Sequence, residues 1–365
     1  MRFALFQEAD FAPGRERERY KEMLVEACFA EEMGFDIYGL SEQHFNPTVA
    51  TVSAPDALFG YLAGKTERIR FRFASAVLLA FNHPIRVAER VATLDVLSDG
   101  RVELGTARSN NPYTLEAFEV DPNQTRAQWA ESLKIIIAAL TNDPFEYSGE
   151  IWKIPPRTLT PKAVQKPHPP IYVAATSVDT HRIAGRMGLG VMCGNSLPGG
   201  WDYVQACHDA YEEGFAELSA TGGTVTHELG CFVATAHCAK TVEQAKREAA
   251  EGAFRFVDLM IDWYGNLAQT SPDYAYLSRI SEVIEHNRDL DHLIARSPYV
   301  SIGDPEFWIE RLKRLEGMGV TEMLLRIDGL THESHMKAIE LFGTQVFPEV
   351  RRPEIHPQPL EEEQT

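Results

Sequence analysis

The sequence is poor in cysteine, in positive charge and in long apolar runs. Its five cysteines form no Cys-x-x-Cys pair and are too sparse to staple 365 residues, so we expect free thiols and a cytoplasmic location. No apolar run approaches the roughly 18 residues of a membrane-spanning helix. The formal net charge of −18 opposes nonspecific binding to phosphate backbones and to anionic lipid. We therefore expect no nucleic-acid partner and no membrane association.

The sequence also lacks the motifs of several common enzyme classes. No Gly-x-Ser-x-Gly segment occurs, which argues against a serine hydrolase of the common type. The segment GRMGLG precedes a predicted strand, so it indicates the end of a helix and not a dinucleotide fingerprint. His332 and His335 are spaced as metal ligands can be, and His237 and Cys238 offer two donors, but neighbouring strand residues point to opposite faces. We expect no metal site.

Short runs rich in Val, Ile and Phe alternate with stretches of helical periodicity, which predicts a parallel sheet built from βα units. A series of eight such units closes most economically into a (β/α)8 TIM barrel, and an open doubly wound sheet is the alternative. The predicted strands are Arg2 to Gln7, Asp36 to Leu40, Ile69 to Leu78, Val102 to Ala107, Ile171 to Thr176, Gly190 to Gly194, Leu229 to Ala236 and Glu322 to Ile327.

Two stretches depart from this repeat. Residues 142–170 contain seven prolines and a predicted hairpin around Ser148-Gly149. Residues 264–300 form an aromatic-rich insertion before the last strand, and we expect a lid or substrate wall there. We expect one barrel domain over residues 1–350, followed by a mobile tail over residues 351–365.

The active site of a barrel forms at the carboxyl ends of its strands, so polar residues that follow the predicted strands are candidates. A histidine at such a position suits proton transfer near neutral pH, although a single histidine more often has a structural role. The candidates are Glu42, Gln43 and His44 after the second strand, Ser75 and the Asn82-His83-Pro84 turn after the third, Arg108 to Asn111 after the fourth, and Thr176 and Ser177 after the fifth.

Arg108 and the start of the helix after the fifth strand indicate a phosphate-monoester site. The Arg108 guanidinium suits a bidentate phosphate contact, and a salt bridge is the alternative. Thr176, Ser177 and Thr180 lie where unpaired backbone N–H groups and the helix dipole favour an anion. This position differs from the commoner barrel phosphate site after strands seven and eight.

Five segments follow one another along the chain: RFALFQ, EEMGFDIYGLSEQHF, ASAVLLAFNHPIRVAERVATLDVLSDGRVELGTARS, PPIYVAATS and LFGTQVFPEV. Together they resemble the bacterial luciferase-like family of flavin-dependent monooxygenases, from residue 1 to about residue 350. The resemblance implies a (β/α)8 barrel with an insertion before the last strand, in agreement with the periodicity.

The resemblance also implies an activity. It is that of a two-component FMNH2-dependent monooxygenase, which inserts one atom of O2 into a small organic substrate through a C4a-peroxyflavin. No NAD(P)H site is visible in the chain, so a separate NAD(P)H:flavin reductase would supply FMNH2. Two alternatives remain, a coenzyme F420-dependent oxidoreductase on the same barrel and a flavin-binding protein without turnover. The F420 alternative lacks an obvious cationic cluster for the acidic tail of that cofactor.

Site residues follow from the resemblance position by position. Luciferases carry Glu-His-His-Phe after the second strand, where this chain has Gln43 for the first histidine, so light emission from aldehydes is doubtful. His44 is then the first candidate for proton transfer, His83 the second, and Glu42 could orient His44. The implied FMN-binding residues are Ser75, Ala76, Arg108, Ala175, Thr176, Ser177 and Thr180, with a non-prolyl cis peptide at Ser75-Ala76. The substrate candidates are Asn110, Tyr113, Trp263 and Tyr264.

A stripe of small residues suggests a homodimer. Ala57, Gly60 and Gly64 lie on one side of the second predicted helix, and small side chains let another helix approach closely. Members of the family pair through this region, so we expect a dimer here. Tight packing of this helix onto the barrel wall is the alternative.

Overall fold

A parallel sheet of eight strands forms the centre of the molecule. It is seen in a computed structural model that describes residues 1–11, 13–46, 48–218 and 225–351. Eight strands belong to this sheet, and four others form two small two-stranded sheets. In chain order, the strands of the described residues are β1 (Arg2–Gln7), β2 (Ile37–Ser41), β3 (Arg70–Val77), β4 (Val102–Ala107), β5 (Phe145–Ser148), β6 (Lys153–Arg157), β7 (Ile171–Val173), β8 (Gly190–Val191), β9 (Gly230–Val233), β10 (Thr235–Cys238), β11 (Val300–Gly303) and β12 (Glu322–Arg326).

The eight strands form a closed ring. They follow the order β8, β7, β4, β3, β2, β1, β12, β9, and all neighbouring pairs are parallel. A parallel bridge between Val191 of β8 and Leu229, directly before β9, joins the two ends. The predicted (β/α)8 barrel is confirmed.

Helices cover the outside of the barrel. α3, for example, begins at a proline after a capping histidine and buries Val87, Ala88 and Val91 on one stripe, the pattern of a helix that packs on a sheet. The helices are α1 (Glu16–Glu32), α2 (Pro55–Ala63), α3 (Pro84–Leu97), α4 (Pro112–Ala117), α5 (Thr125–Thr141), α6 (Val178–Arg186), α7 (Trp201–Ala216), α8 (Val242–Thr270), α9 (Ser281–Ile284), α10 (Leu290–Arg296), α11 (Pro305–Gly317), α12 (His332–Leu341) and α13 (Phe347–Val350).

The amino-terminal end of the barrel is closed by buried ion pairs. The Arg72 guanidinium contacts the carboxylates of Glu103 and Glu322 and stacks 3.8 Å from the centre of the Tyr172 ring. Burial raises the pKa of Glu103, but Arg72 and Arg2 outweigh it and lower that pKa to about 2. The carboxyl ends of the strands are therefore left as the place for a cavity.

One predicted strand, Leu229 to Ala236, is divided in the structure. β9 pairs with β12 inside the barrel, whereas β10 leaves the barrel and pairs with β11. The chain changes partner at Ala234, whose N–H donates to the Tyr299 carbonyl at 2.8 Å. The prediction of one continuous strand is wrong, because the residues from Thr235 onward pair with β11, a strand that was not predicted.

The two predicted excursions are present. β5 and β6 form an antiparallel hairpin, and Gly149 N–H donates to the Trp152 carbonyl at its turn. The insertion before β12 contains the end of α8, a 3-10 segment over Pro272–Ile280, α9 and α10. It has its own apolar core with α8, which includes Phe256, Met260, Trp263, Tyr264, Tyr274, Leu277 and Leu293.

The predicted tail lies outside the described residues from residue 352 onward. Arg351, the last described residue, donates to the Gly34 carbonyl at 2.6 Å and to Asp36 Oδ2 at 2.7 Å. Within the described ranges, we find no helix whose length and apolar character would let it cross a membrane.

Candidate active site

A cavity opens at the carboxyl ends of the barrel strands and is covered by the insertion. The space between its walls, with open solvent at the mouth included, is about 1050 Å³. Polar residues at the strand ends form one wall, and aromatic residues of α8 and the 3-10 segment form the other. The polar lining includes Glu8, Ser41, Glu42, Gln43, Ser75, Arg108, Asn110, Thr176, Cys193 and Asn195, and the aromatic lining includes Phe6, Phe232, Phe256, Trp263, Tyr264, Tyr274, Tyr276 and Tyr299.

Arg108 has unused hydrogen-bonding capacity inside this cavity. Its Nη1 is buried and has no hydrogen-bond partner, and the nearest acid, Asp273, has its Oδ2 3.7 Å away. The guanidinium lies 5.0 Å from the centre of the Tyr274 ring, which holds it without satisfying its N–H donors. A buried cation with an unsatisfied donor is a suitable ligand for an anion.

Thr176 and the start of α6 lie beside the same insertion segment. Thr176 Oγ1 is 2.9 Å from the Tyr276 hydroxyl, and Asp273 of that segment faces Arg108. Ser177 caps α6, since its Oγ accepts from Thr180 N–H at 3.3 Å and lies 2.8 Å from Thr180 Oγ1. This cap places the positive end of the helix dipole at this part of the site.

Not every predicted flavin contact lines the cavity. Thr176, Arg108 and Ser75 do. Ser177 lines an adjoining surface groove, whereas Ala76, Ala175 and Thr180 are absent from the lining of both.

The expectation of a cis bond at Ser75-Ala76 is wrong. In the described ranges the cis bonds are Asp143–Pro144, Thr160–Pro161 and Lys166–Pro167. Around Ser75 the irregularity is a register shift between Phe73 and Ala76 in the pairing of β3 with β4.

Glu42 lines the cavity, but His44 lies behind it. The Glu42 carboxylate accepts from Asn82 Nδ2 at 2.9 Å, and His44 Nε2 is 3.3 Å from Glu42 Oε1. The His44 ring packs edge-on against Phe118 at 5.1 Å and is not part of the lining. Gln43 does line the cavity. The structure therefore brings to the cavity the position where luciferases carry the first histidine, and not His44.

His83 lies away from the cavity and caps a helix. Its Nδ1 accepts from Ile85 N–H at 3.2 Å at the start of α3, and its ring lies 6.3 Å from the Trp152 ring. The structure therefore does not bring His83 together with Glu42 and Arg108.

Three of the four predicted substrate residues line the cavity. Asn110, Trp263 and Tyr264 do so. Burial raises the pKa of Tyr264, and the hydrogen bond with Asn110 lowers it by a smaller amount. Tyr113 points outward, is 43% exposed and donates its hydroxyl to Asp262 Oδ2 at 2.8 Å.

Strained backbone marks the same edge of the barrel. Ala9, Phe45, Ala50 and Ser109 have φ between 56° and 69°, a left-handed conformation that non-glycine residues rarely adopt. Ala9 and Ser109 directly follow the lining residues Glu8 and Arg108, and Phe45 follows His44, which contacts Glu42. Such strain persists where the surroundings determine the conformation, which is common at functional sites.

The sequence analysis did not identify the acid at the floor of the cavity. Glu8 directly follows β1, is 5% exposed, has its Oε1 2.5 Å from Ser41 Oγ and pairs with Arg326 Nε at 2.8 Å. Cys193, Asn195 and Tyr299 also line the cavity without having been predicted. The rule of strand carboxyl ends, applied to β1 and β8, would have included Glu8 and Cys193.

In the part of the chain that the structure describes, no group of three or more His, Cys, Asp or Glu side chains could hold a metal ion. His332 and His335 each direct Nδ1 to Glu26 Oε1, at 2.7 Å and 3.0 Å, so they belong to a buried hydrogen-bonded network.

Known proteins match this chain in sequence and fold. The family model for luciferase-like monooxygenases matches residues 1–322. The oxygenase component of the flavin-dependent trigonelline monooxygenase of Acinetobacter baylyi is 26% identical over 358 residues, 95% of each chain. An F420-dependent glucose-6-phosphate dehydrogenase of Microbacterium testaceum is 25% identical over 339 residues, 91% of this chain and 94% of that protein.

A third relative aligns over a shorter stretch. Protein y4wF of Sinorhizobium fredii, described as uncharacterized, is 30% identical over 191 residues, 52% of this chain and 55% of that protein. Among solved structures, the oxygenating constituent of 3,6-diketocamphane monooxygenase from Pseudomonas putida, in complex with FMN, has a TM-score of 0.72 and 21% identity, and the match covers 97% of this chain and 99% of that chain. Because the family model spans most of the barrel, the chain belongs to the luciferase-like monooxygenase family.

Proposed function

We propose that this chain is the oxygenase component of a two-component monooxygenase. It takes FMNH2 from a separate NAD(P)H:flavin reductase and inserts one atom of O2 into a small organic substrate. The observation that carries the proposal is the buried Arg108 Nη1 without a hydrogen-bond partner, at the mouth of an aromatic-walled cavity. A relative over 95% of the chain is named an oxygenase component, which supports the two-component arrangement.

The residues present fit FMN. The phosphate needs a cation and several donors, and Arg108, Thr176 and the amino-terminal end of α6 offer them. An isoalloxazine ring needs a flat, largely apolar space, which Phe232, Tyr264 and the other aromatic lining residues provide. Ser75 and Gln43 lie at the polar wall, where they would meet the edge of the ring system.

Bound FMNH2 would supply the two electrons with which O2 is activated. The chain itself binds, orients and excludes water. Trp263 and Tyr264, which are 1% and 4% exposed, keep the cavity dry on the side of the insertion. Glu42 is held by Asn82 and His44, and we assign it and His44 to positioning the polar wall; His83 receives no role, because it caps α3.

A specific observation bears on coenzyme F420 as the alternative. The groove beside Ser177 is lined by Arg126, Arg182 and Arg186, a cationic cluster that the sequence analysis did not find. Arg182 pairs with Glu213 and Arg186 with Glu217, each at 2.7 Å, and Arg126 lies 3.6 Å from Asp273. Both pairs of α6 are partly exposed to solvent and weak, so Arg182 and Arg186 remain available to an acidic tail, and coenzyme F420 stays the alternative to FMN.

Anaerobic titration with FMNH2 and with reduced F420, followed by rapid mixing with O2, tests the proposal. We expect FMNH2 to bind, and we expect a delay between O2 consumption and the appearance of oxidised flavin absorbance. Immediate reoxidation with all O2 released as hydrogen peroxide, whatever compound is added, would favour a flavin-binding protein without turnover. Binding of reduced F420 alone would overturn the choice of cofactor.

We also propose a homodimer that pairs through α2. Ala57 and Gly64 are exposed, and a Cβ placed on Gly60 would meet nothing within 4 Å, so the small-residue stripe faces away from the barrel. Light scattering of the purified protein tests this. A Gly60→Leu variant should shift the mass from dimer to monomer, and an unchanged monomeric mass in both proteins would contradict the proposal.

A further inference from the structure

Glu8 is the acid that reaches the floor of the cavity from β1. Its Oε1 lies 2.5 Å from Ser41 Oγ, at the end of β2, and Ser41 also lines the cavity. Its Oε2 lies 2.8 Å from Arg326 Nε, at the end of β12. One oxygen of Glu8 therefore contacts a hydroxyl that faces the cavity, and the other contacts a buried cation.

Arg326 has more acids around it than it can neutralise. Its guanidinium contacts Asp10 at 2.7 Å and lies 3.7 Å from Asp328, in addition to the contact with Glu8. The next cation, Arg19, is 3.5 Å from Asp328 but pairs with Glu26 at 2.7 Å. Three buried carboxyl groups around one guanidinium do not all ionise, because each negative charge raises the free-energy cost of ionising the next carboxyl group. At least one proton is held in this cluster.

Strained backbone lies beside this cluster. Ala9, between Glu8 and Asp10, has φ of 65°, so the chain leaves the extended conformation of β1 at this point. Asp10 Oδ1 also accepts from Ala50 N–H, and Ala50 has φ of 56°. Such conformations persist where the surrounding contacts determine them.

We propose that Glu8 holds this proton and passes it through Ser41 to the molecule bound in the cavity. The Glu8 carboxyl donates its proton to Ser41 Oγ, while the Ser41 hydroxyl proton moves to an anionic oxygen of the bound reactant. No electron is transferred, and Glu8 is left as a carboxylate paired with Arg326. The identity of the acceptor rests on the proposed function, whereas the location of the proton does not.

The surroundings of Glu8 favour its neutral form. Burial raises the pKa of Glu8, and the nearby Asp328 and Asp10 raise it further, while Arg326 and the Ser41 hydroxyl lower it. Cys193 and Tyr299 also face this acid, and both have a raised pKa, so neither contributes a charge near neutral pH. Glu42, which follows Ser41 in the sequence, pairs with His44 and not with Glu8.

Infrared difference spectroscopy of the ligand-free protein locates the proton. At neutral pH the wild type should show the C=O band of a protonated carboxyl group, shifted in D2O. The band should be lost in Glu8→Gln, retained in the control Glu228→Gln at the opposite end of the barrel, and shifted but retained in Ser41→Ala. A band that survives in Glu8→Gln, or that is lost only in Asp328→Asn, would overturn the proposal.

The kinetics of the FMNH2 complex with O2 test the transfer. Glu8→Gln and Ser41→Ala should each slow the proton-dependent step about 100-fold or more and remove its solvent isotope effect, whereas Glu228→Gln should stay close to wild type. Equal rates in all four proteins would contradict a relay. If the wild type does not bind FMNH2, the proposed function fails, and the infrared result still decides where the proton lies.

Discussion

The guanidinium of Arg326 lies 2.8 Å from the carboxylate of Glu8, and this contact joins the last strand of the barrel to the first. The two residues are 318 positions apart in the sequence. Arg326 also donates to the Ala234 carbonyl and stacks 4.1 Å from the centre of the Phe256 ring of α8. The floor of the cavity, the end of β9 and the helix that begins the insertion are therefore fixed by one side chain.

Ser177→Ala tests the role of the α6 cap. Loss of the cap should lower the free energy of unfolding by roughly 0.5–2 kcal/mol and weaken the binding of FMN, because the amino-terminal end of α6 becomes less ordered. Denaturant unfolding and flavin fluorescence titration measure the two effects.

Thr331→Ala is the matched control for the α6 cap. Thr331 caps α12 through the same type of contact, since its Oγ1 accepts from Ser334 N–H, and it does not line the cavity. It should lose similar stability with unchanged FMN affinity. Equal loss of affinity in both variants would show that the α6 cap has no particular role in binding.

His181 should make the phosphate site sensitive to acid. Burial lowers the pKa of His181 to about 4, while its Nδ1–H donates to the Ser177 carbonyl at 2.8 Å. As the pH falls, this histidine is protonated in the unfolded chain before it is protonated in the folded chain. The free energy of unfolding therefore decreases between about pH 6.5 and pH 4, by about 3 kcal/mol in total.

His181→Gln should flatten this part of the stability profile. Thermal unfolding from pH 7 to pH 4, with FMN affinity measured in parallel, checks the prediction. A profile of unchanged slope in the variant would show that another group, for example the buried His168, dominates the acid response.

Glu103→Gln should strongly destabilise the amino-terminal end of the barrel. The carboxylate contacts Arg72, Arg70 and Arg2, and removing one partner of a buried ion pair costs about 3–5 kcal/mol. The pKa of Glu103 is lowered to about 2 in the folded protein. Its contribution to the free energy of unfolding is therefore complete above about pH 4.5 and is lost as the pH falls from about 4.5 towards 2.

Glu228→Gln is the control at the same rim. Glu228 pairs with Arg2 at 2.8 Å but is 27% exposed, so its loss should cost no more than about 1 kcal/mol. Urea unfolding of both variants distinguishes the two positions. Similar losses in the two variants would contradict the buried ion cluster as the main source of stability at this end.

Most of the barrel could be predicted because its signals are local. The apolar runs of β1, β2, β3 and β4 match their predicted bounds or lie within one residue of them. β11 could not be predicted in this way, since a strand of four residues is recognised by its partner β10, which lies more than 60 positions earlier.

The site could be predicted in part for the same reason. Arg108 follows directly on β4 and Thr176 lies three residues after β7, so the strand-end rule places both at the cavity. His44 follows a strand too, but Phe45 adopts φ of 60° and Asn111 Nδ2 donates to the His44 carbonyl, which fixes a turn that no local pattern indicates. Glu8 directly follows β1, so the same rule applies to it, but its pairing with Arg326, 318 positions later, has no local signal.

The most direct test of the central claim is the affinity of the protein for FMNH2 and for reduced riboflavin, measured anaerobically by calorimetry in the wild type and in Arg108→Ala. The two ligands differ only in the phosphate. We predict that the wild type binds FMNH2 at least about 10-fold more tightly than reduced riboflavin, because a charge-assisted hydrogen bond contributes about 1.5–3 kcal/mol. We predict that Arg108→Ala loses most of this difference in affinity. Equal affinities for the two ligands in the wild type, or a preference for FMNH2 that is unchanged in Arg108→Ala, would contradict the account.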